Sequence, residues 1–227
     1  MDNLPNLSFI SAINDRVYAV LKNAILRKML PPGHKLNVSS LAAKWGVSNS
    51  PINDAMQRLM IEGLVEVVSR KGTFVAEVRA DDLLEQLVVR QMFETTAAEL
   101  SVAAVSDDDL DSWRRLLEES DKLFAGRDFD YFTYVGFDAD FHSRPLIWTG
   151  NQQLLKIFQF QNFHWNTARA FYGRLPSKPH QRQCEHWDLY RAYQSRSLPA
   201  IREAIARHID GSRQDINDAL CRGELQR

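Results

Sequence analysis

The sequence predicts a mostly α-helical protein in which three short helices and a β-hairpin precede a bundle of further helices. Three stripes of apolar residues at helical spacing lie before residue 64. Two β-rich runs, LVEVV and TFVAEV, follow them and are separated by a short turn. From Asp81 onwards only helical periodicity is seen, which indicates an all-helical bundle. We therefore expect two domains, at residues 1–78 and 79–227.

The first predicted helix runs from Arg16 to Met29, where apolar residues recur every three or four positions. The residues Pro31, Pro32 and Gly33 follow it. Proline lacks a backbone N–H and glycine favours turns, so the helix is expected to end before this segment.

The second and third predicted helices are separated by a short turn at Gly46. Asn37 is the expected N-cap of the second helix. Ser50 is the expected N-cap of the third, with Pro51 at its first position, where a missing N–H costs no hydrogen bond. Gly63 ends the third helix. A turn of this length sets two helices at a steep angle, and the third can then enter a DNA major groove, which is about 12 Å wide.

A basic turn, Ser69-Arg70-Lys71-Gly72, connects the two β-rich runs into a hairpin. Three helices followed by such a hairpin predict a winged helix-turn-helix domain that binds double-stranded DNA. Arg70 and Lys71, at the tip of the wing, are candidates for contact with DNA phosphates or the minor groove. The alternative is that they are solvated charges of an exposed turn.

Composition and charge are consistent with a two-part cytoplasmic protein. The chain is 44% hydrophobic and 25% charged, as in soluble globular proteins, and neither a membrane span nor secretion is expected from its sequence. Its two cysteines cannot form a disulfide framework, which fits a reducing compartment. Residues 1–78 contain nine Lys and Arg against six Asp and Glu, whereas the remainder is acidic. This asymmetry is in the direction expected for a DNA-binding N-terminal domain.

The C-terminal domain is expected to contain six helices. They are predicted over Asp81–Val105, Asp107–Gly126 and about 128–143, 151–172, 179–195 and 198–220. On the first of them we assign a buried apolar side, consisting of Leu84, Leu87, Val88, Met92 and Ala98. Ser106 is the expected N-cap of the second helix, and Asn151 that of the fourth.

Several segments resemble a known family when their order and spacing are taken together: VSNSPINDAM, EGLVEVVSRKGTFV, FDADFH followed by TGN, and the later pairs EH and ARH. The N-terminal part resembles the DNA-binding domain of the GntR superfamily, and the helical remainder resembles the FCD effector domain of its FadR subfamily. The resemblance covers roughly residues 15–220. It implies a homodimeric, DNA-binding transcription regulator that responds to a small effector.

The helix expected to enter the major groove departs from the family's pattern. The family usually has arginine where this chain has Asn49 and Asn53. Asparagine pairs in a bidentate manner with adenine, whereas arginine pairs with guanine, so a different operator preference is expected. Asn49, Ser50 and Asn53 are therefore the candidate residues of this helix for DNA contact, the alternative being that the asparagines are only polar surface residues.

Four residues have the spacing of a metal site. Asp138 and His142 are four residues apart, on one face of a helix, while His186 and His208 fall at one level of an antiparallel helix pair. The resemblance implies the same four as ligands, because the metal-binding FCD subset uses Asp-x3-His and two later histidines. Such ligands suit a divalent transition metal: zinc, with nickel, manganese or iron as alternatives. Pro145, three residues after His142, is expected to kink or end its helix.

A small carboxylate is the expected effector, and Arg90 and Arg169 are candidates to pair with it, because a guanidinium matches a carboxylate. The alternative for either arginine is a salt bridge between helices, to Glu94 or Glu99 for example. Two other functions compete with ligand-controlled regulation: a hydrolase with a zinc-activated water, and a regulator whose metal is purely structural. The winged domain argues against the hydrolase, since an enzyme of that kind would not need it.

Overall fold

The computed structural model describes residues 8–77, 79–125, 129–161 and 178–225, with side chains omitted at 8–12, 131 and 132. Contacts divide the chain into two compact units, Met1–Glu77 and Val78–Arg227, and each is described by itself. Within the described ranges, no helix combines the length and the hydropathy that crossing a membrane requires.

The N-terminal unit is a winged helix-turn-helix. Its helices are α1 (Ser8–Leu26), α2 (Val38–Trp45) and α3 (Asn49–Ile61), and its strands are β1 (Lys35–Leu36), β2 (Val65–Val68) and β3 (Gly72–Val75). The strands form an antiparallel sheet in the order β1-β3-β2. The hairpin was predicted, but β1 was not, because two residues are too few to show an alternating pattern.

The predicted caps of the helix-turn-helix are confirmed in α2 and wrong in α3. The Asn37 side chain accepts a hydrogen bond from the backbone N–H of Ser40 at 2.9 Å. Gly46 closes α2 with a φ of 66°, in the left-handed region that glycine tolerates.

Helix α3 begins one residue before the predicted cap, Ser50. Its N-cap is Ser48, which makes no side-chain capping hydrogen bond. Pro51 is therefore the third helical residue. It is still tolerated there, since the first turn of a helix has no internal acceptors for its N–H groups.

The first helix ends earlier than predicted, at Leu26 and not at Met29. Lys28 has a φ of 59°, which is left-handed and incompatible with a continuing right-handed helix. Helix α1 packs on α3 through buried apolar residues, among them Leu21 and Ile25 on α1 and Ile52 on α3.

The C-terminal unit is a helical bundle. Its described elements are α4 (Ala80–Ser101), α5 (Asp107–Asp121), a 3₁₀ turn (Lys122–Phe124), α6 (Tyr131–Trp148), α7 (152–161), α8 (Pro179–Gln194) and α9 (Leu198–Cys221). The predicted caps Ser106 and Asn151 are confirmed: Ser106 forms a capping box with Asp109. The Asn151 side chain accepts from the backbone of Gln153 and Leu154, at 3.1 Å each.

Helix α6 does not end near residue 143, as predicted, but continues through Pro145 to Trp148. Pro145 has no N–H to donate to the carbonyl of Phe141, one turn earlier. The indole N–H of Trp113, on α5, donates to that carbonyl at 3.0 Å, and the two aromatic rings stack with centroids 4.4 Å apart. A side chain from a neighbouring helix thus replaces the missing backbone hydrogen bond.

The buried side assigned to α4 is only partly right. Leu87 is fully buried as predicted, but Val88 and Met92 are 52% and 65% exposed. The polar residues Arg90 and Glu94 are buried in this helix instead. They form an ion pair of 2.7 Å, which lowers the cost of placing charged groups inside the bundle.

Candidate metal centre and nucleic-acid interface

The four predicted metal ligands meet inside the C-terminal unit. Helix α6 supplies Asp138 and His142, α8 supplies His186 and α9 supplies His208, and at most 2% of each residue is exposed. The Nε2 atoms of His142 and His186 are 3.2 Å apart. The His208 ring centroid lies 4.9 Å from that of His142 and 4.8 Å from that of His186. The three histidines offer ligand atoms within 4.8 Å of one another, close enough to hold a metal ion.

The Asp138 carboxylate faces the same centre. Its Oδ1 atom lies 3.4 Å from Nε2 of His186 and 3.9 Å from Nε2 of His142. On its other side, Oδ2 lies 3.9 Å from a guanidinium nitrogen of Arg90. The site therefore combines three imidazoles with one carboxylate.

Two of the histidines bind acceptors through Nδ1, on the side of the ring away from the centre. His142 Nδ1 lies 3.0 Å from Oε1 of Glu94, and His186 Nδ1 lies 3.2 Å from Oε1 of Gln183. The Gln183 amide nitrogen donates to Asp121 at 2.7 Å, which orients its oxygen towards the histidine. Both contacts place the ring proton on Nδ1 and leave the lone pair on Nε2.

The third histidine has a comparable partner. His208 Nδ1 lies 3.1 Å from Oε2 of Glu185, and that oxygen also lies 2.7 Å from the guanidinium of Arg182. Burial raises the pKa of Glu185 to about 7, although Arg182 acts to lower it. The guanidinium acts against burial and favours the ionised carboxylate, the form that can accept a proton from Nδ1.

The electrostatics of the site favour a cation. Burial lowers the pKa of His186 to about 4 and that of His208 well below its usual range, so both rings are neutral at neutral pH. Burial alone would raise the pKa of Glu94, but His142 and Arg90 outweigh it and lower that pKa to about 2. The Nε2 atoms of His142 and His186 lie 3.2 Å apart, beside the Asp138 carboxylate. A divalent metal ion between them would be coordinated by both rings, and the residues present fit such an ion.

Of the two candidate effector residues, only Arg90 belongs to the described part of the chain. Arg90 lies beside the centre and pairs with Glu94 at 2.7 Å, one helical turn away on α4 itself. The salt bridge considered as its alternative role thus exists, within one helix. Arg169 lies outside the described residues.

The acceptors Glu94, Gln183 and Glu185 were not predicted. One signal could have found Gln183: metal-binding histidines usually donate their second ring nitrogen to a carboxylate or carbonyl. Gln183 lies three residues before His186, on the same helix face. Glu185 contacts His208 on the neighbouring helix, so its spacing along α8 gives no such signal. Glu94 offers no such signal, because it comes from α4, a helix that supplies no ligand.

The candidate DNA-binding residues are all exposed. Asn49, Ser50 and Asn53 lie in the first turns of α3, and Arg70 and Lys71 lie at the tip of the hairpin between β2 and β3. Arg70 has a φ of 62° in this tight turn. The described N-terminal unit thus presents a polar helix start and a basic wing tip to solvent.

Comparison with known proteins matches both units to family models. The model described as "Bacterial regulatory proteins, gntR family" matches residues 13–75, and the model of the FCD domain matches residues 85–211. The second match alone covers more than half of the chain.

Relatives and solved structures match over nearly the full length. The HTH-type transcriptional regulator YdhC of Bacillus subtilis is 24% identical over 209 residues, 91% of this chain and 92% of the relative. The HTH-type transcriptional repressor RspR of Escherichia coli is 20% identical over 210 residues, 92% of this chain and 89% of the relative. The structure of E. coli McbR/YncC superposes with a TM-score of 0.68 at 19% identity, covering 92% of this chain and 98% of that one. At this identity the structural match shows the fold.

Proposed function

The chain belongs to the gntR family of bacterial regulatory proteins and carries an FCD domain, so it is a DNA-binding transcription regulator, and we propose that a small organic acid controls its affinity for the operator. The acid binds at or near a divalent transition metal held by Asp138, His142, His186 and His208. Zinc is the expected metal, with nickel, manganese or iron as alternatives. The observation that carries the proposal is the buried convergence of three imidazoles and a carboxylate.

The arrangement explains how an acid could act on the whole C-terminal unit. A bound metal would supply a Lewis acid for a carboxylate. Its ligands come from α6, α8 and α9, and the neighbouring Arg90 comes from α4. An acid at this site would act on all four helices together. It can change operator affinity only by the difference between its affinities for the two states of the regulator.

A thermal-shift screen of small organic acids, with and without a chelator, tests the proposal. An effector is expected to raise the melting temperature of the metal-loaded protein and to lose this effect after chelation. The same acid should change operator binding in a mobility-shift assay. An acid that stabilises both forms equally would show that it does not bind through the metal.

The two competing functions give other results in the same assays. A protein with a purely structural metal would be destabilised by the chelator, yet no acid would change its operator binding. A hydrolase would show turnover of an ester or amide and no salt-dependent retention on random DNA. Salt-dependent retention is the result expected for this chain.

The DNA-binding residues can be separated by the kind of contact they make. Replacing Arg70 or Lys71 with alanine should weaken binding about equally on all sequences and reduce the salt slope by about one per lost phosphate contact. Asn49→Ala and Asn53→Ala should instead change the preferred sequence, because an asparagine side chain in the major groove can pair with adenine in a bidentate manner. Selection from a random DNA library, followed by salt titration, measures both effects.

Lys156→Ala is a matched control for that experiment, because this exposed lysine lies on α7 in the other unit. It should leave the preferred sequence and the salt slope unchanged. Identical sequence preferences for the wild type and both asparagine variants would show that neither asparagine reads the operator.

We further propose that the chain is a homodimer and that its partner covers the exposed side of α4. A single winged domain contacts little DNA, so specific binding is expected from two copies on a two-fold operator. Val88, Met92 and Leu100 lie on α4 and are 52%, 65% and 55% exposed. A two-fold dimer uses the same surface on both copies, so one apolar stripe suffices for the interface.

The variant Met92→Glu tests this interface. Burying a carboxylate without a partner is costly, so the variant should be monomeric and bind the operator at least about tenfold more weakly. Light scattering should give twice the 26.1 kDa chain mass for the wild type and the single mass for the variant. Arg115→Glu, at an exposed position on α5, is the control and should remain dimeric. A dimeric Met92→Glu would place the interface elsewhere.

A further inference from the structure

Gly211 occupies a position in α9 where helix propensity argues against glycine. It lies inside the helix, three residues after His208 and four before Asp215. Its φ is not in the left-handed region, so the backbone does not require glycine there. Glycine in a helix interior is about 1 kcal/mol less favourable than alanine. The reason for glycine must therefore be the space that a side chain would fill.

That space is occupied by an arginine from the neighbouring helix. A Cβ at Gly211 would overlap the Nη1 and Cζ atoms of Arg182, on α8. Arg182 is buried, with 4% of its surface exposed. Its guanidinium lies 2.7 Å from Glu185 and 3.6 Å from Asp215. The missing side chain thus admits a cation between two carboxylates.

This ion-pair chain reaches the metal centre. Glu185 contacts Arg182 and His208 through the same carboxylate oxygen, Oε2. The contact with Nδ1 of His208 determines which ring nitrogen is protonated and turns Nε2 towards the other histidines. If Arg182 moves, Glu185 loses the charge that holds it in place.

We propose that Gly211, Arg182 and Asp215 are positioning residues for the metal centre, and that they act through Glu185 on His208. The inference rests on the proposed metal binding, and it assigns a role to a residue that has no side chain. Because the guanidinium is the far end of a flexible side chain, an alanine at 211 can be accommodated by moving Arg182 outwards. We therefore expect Gly211→Ala to fold and to disturb the metal centre.

The test measures zinc affinity of the full chain by competition with a chromophoric chelator. Gly211→Ala should bind zinc about 10–100-fold more weakly than the wild type, as is typical when the hydrogen-bond partner of a metal-binding histidine is lost. The visible absorption bands of the cobalt-loaded protein should change in position or intensity, which a change in folding stability alone would not cause. Gly136→Ala is the matched control: Gly136 lies inside α6, and a Cβ there meets no atom within 4 Å.

Two further variants separate positioning from simple packing. Arg182→Met should weaken zinc binding to a similar extent, and adding Gly211→Ala to it should cause no further loss, because the group displaced by alanine is already gone. Glu185→Gln retains an oxygen that can accept from His208 and should retain most of the affinity. Arg182→Met and Glu185→Gln also test the inference if Gly211→Ala does not fold.

The outcomes distinguish a failure of this inference from a failure of the proposed metal binding. A wild type that binds no zinc, cobalt or other divalent transition metal would contradict the proposed metal site itself. A wild type that binds zinc, with Gly211→Ala and Arg182→Met within twofold of it, would leave the site intact and overturn the positioning role. Additive losses in the double variant would also overturn it, since they would mean that the residues act separately.

Discussion

His186→Ala is expected to abolish metal binding at physiological metal concentrations while leaving the N-terminal unit folded. The proposed site has four ligands, and structural zinc sites bind with roughly 10–16 kcal/mol, so losing one ligand should cost about 3 kcal/mol or more, at least about a hundredfold in affinity. The variant should also lose the response of operator binding to the acid. Elemental analysis of the purified protein and chelator competition measure the first effect, and mobility shifts measure the second.

His180→Ala is the control for that experiment, since His180 is an exposed histidine of the same helix. A chelator should lower the melting temperature of this control and of the wild type, because a ligand that binds only the folded state stabilises it. The chelator should have no effect on His186→Ala. Full metal occupancy in the double variant His186→Ala/His208→Ala would mean that other residues bind the metal. Loss of metal with an unchanged acid response would mean that the metal is structural.

Arg90→Met should be strongly destabilising, because it leaves the buried carboxylate of Glu94 without its cation. The pair has a distance of 2.7 Å, and only 4% of each side chain is exposed. Removing one partner of a buried pair costs about 3–5 kcal/mol. For a unit of this size such a loss lowers the melting temperature by roughly 10 °C. Thermal and urea unfolding of the metal-free chain measure the effect.

An exposed ion pair between α4 and α9 provides the control. Arg202 pairs with Glu99 of α4 at 2.6 Å, but the two side chains are 51% and 43% exposed. Arg202→Met should therefore cost less than about 1 kcal/mol. Equal stability of the two methionine variants would contradict the structural importance of the buried pair.

A role of Arg90 in effector binding needs a variant that retains the charge. Arg90→Lys retains a cation beside Glu94 but loses the planar fork that matches a carboxylate. If Arg90 contacts the acid, the variant should bind zinc as the wild type does and bind the acid more weakly. An unchanged acid affinity would restrict Arg90 to holding Glu94 and Asp138.

The convergence of the four candidate ligands could be expected from the sequence, because their spacing is a property of single helices and of one hairpin of helices. Asp138 and His142 are one turn apart, and the 22 residues from His186 to His208 return the chain to the same level. Glu94 could not be predicted in this way. A periodicity argument places charged residues on the solvent side, and only the packing of α4 against α6 brings Glu94 to His142.

On the exposed side of α4 the error is the opposite one: apolar residues that were expected to be buried are exposed. Val88 and Met92 were assigned to the core because they are apolar and correctly spaced, yet the structure of one chain leaves them exposed. Hydrophobic periodicity does not distinguish a surface that packs within the chain from one that stays exposed or packs against a partner. The displaced α3 cap has a simpler reason: Ser48 and Ser50 both precede the helical stripe, and the pattern does not choose between them.

The hydrogen bond from Trp113 to the carbonyl of Phe141 couples two positions that lie far apart in the sequence. A proline at 145 leaves that carbonyl without a donor from its own helix, and a buried carbonyl without a donor costs about 1–3 kcal/mol. The cost of removing the indole therefore depends on the residue at 145. With proline there the carbonyl loses its donor, whereas with alanine there the backbone N–H of residue 145 can take its place.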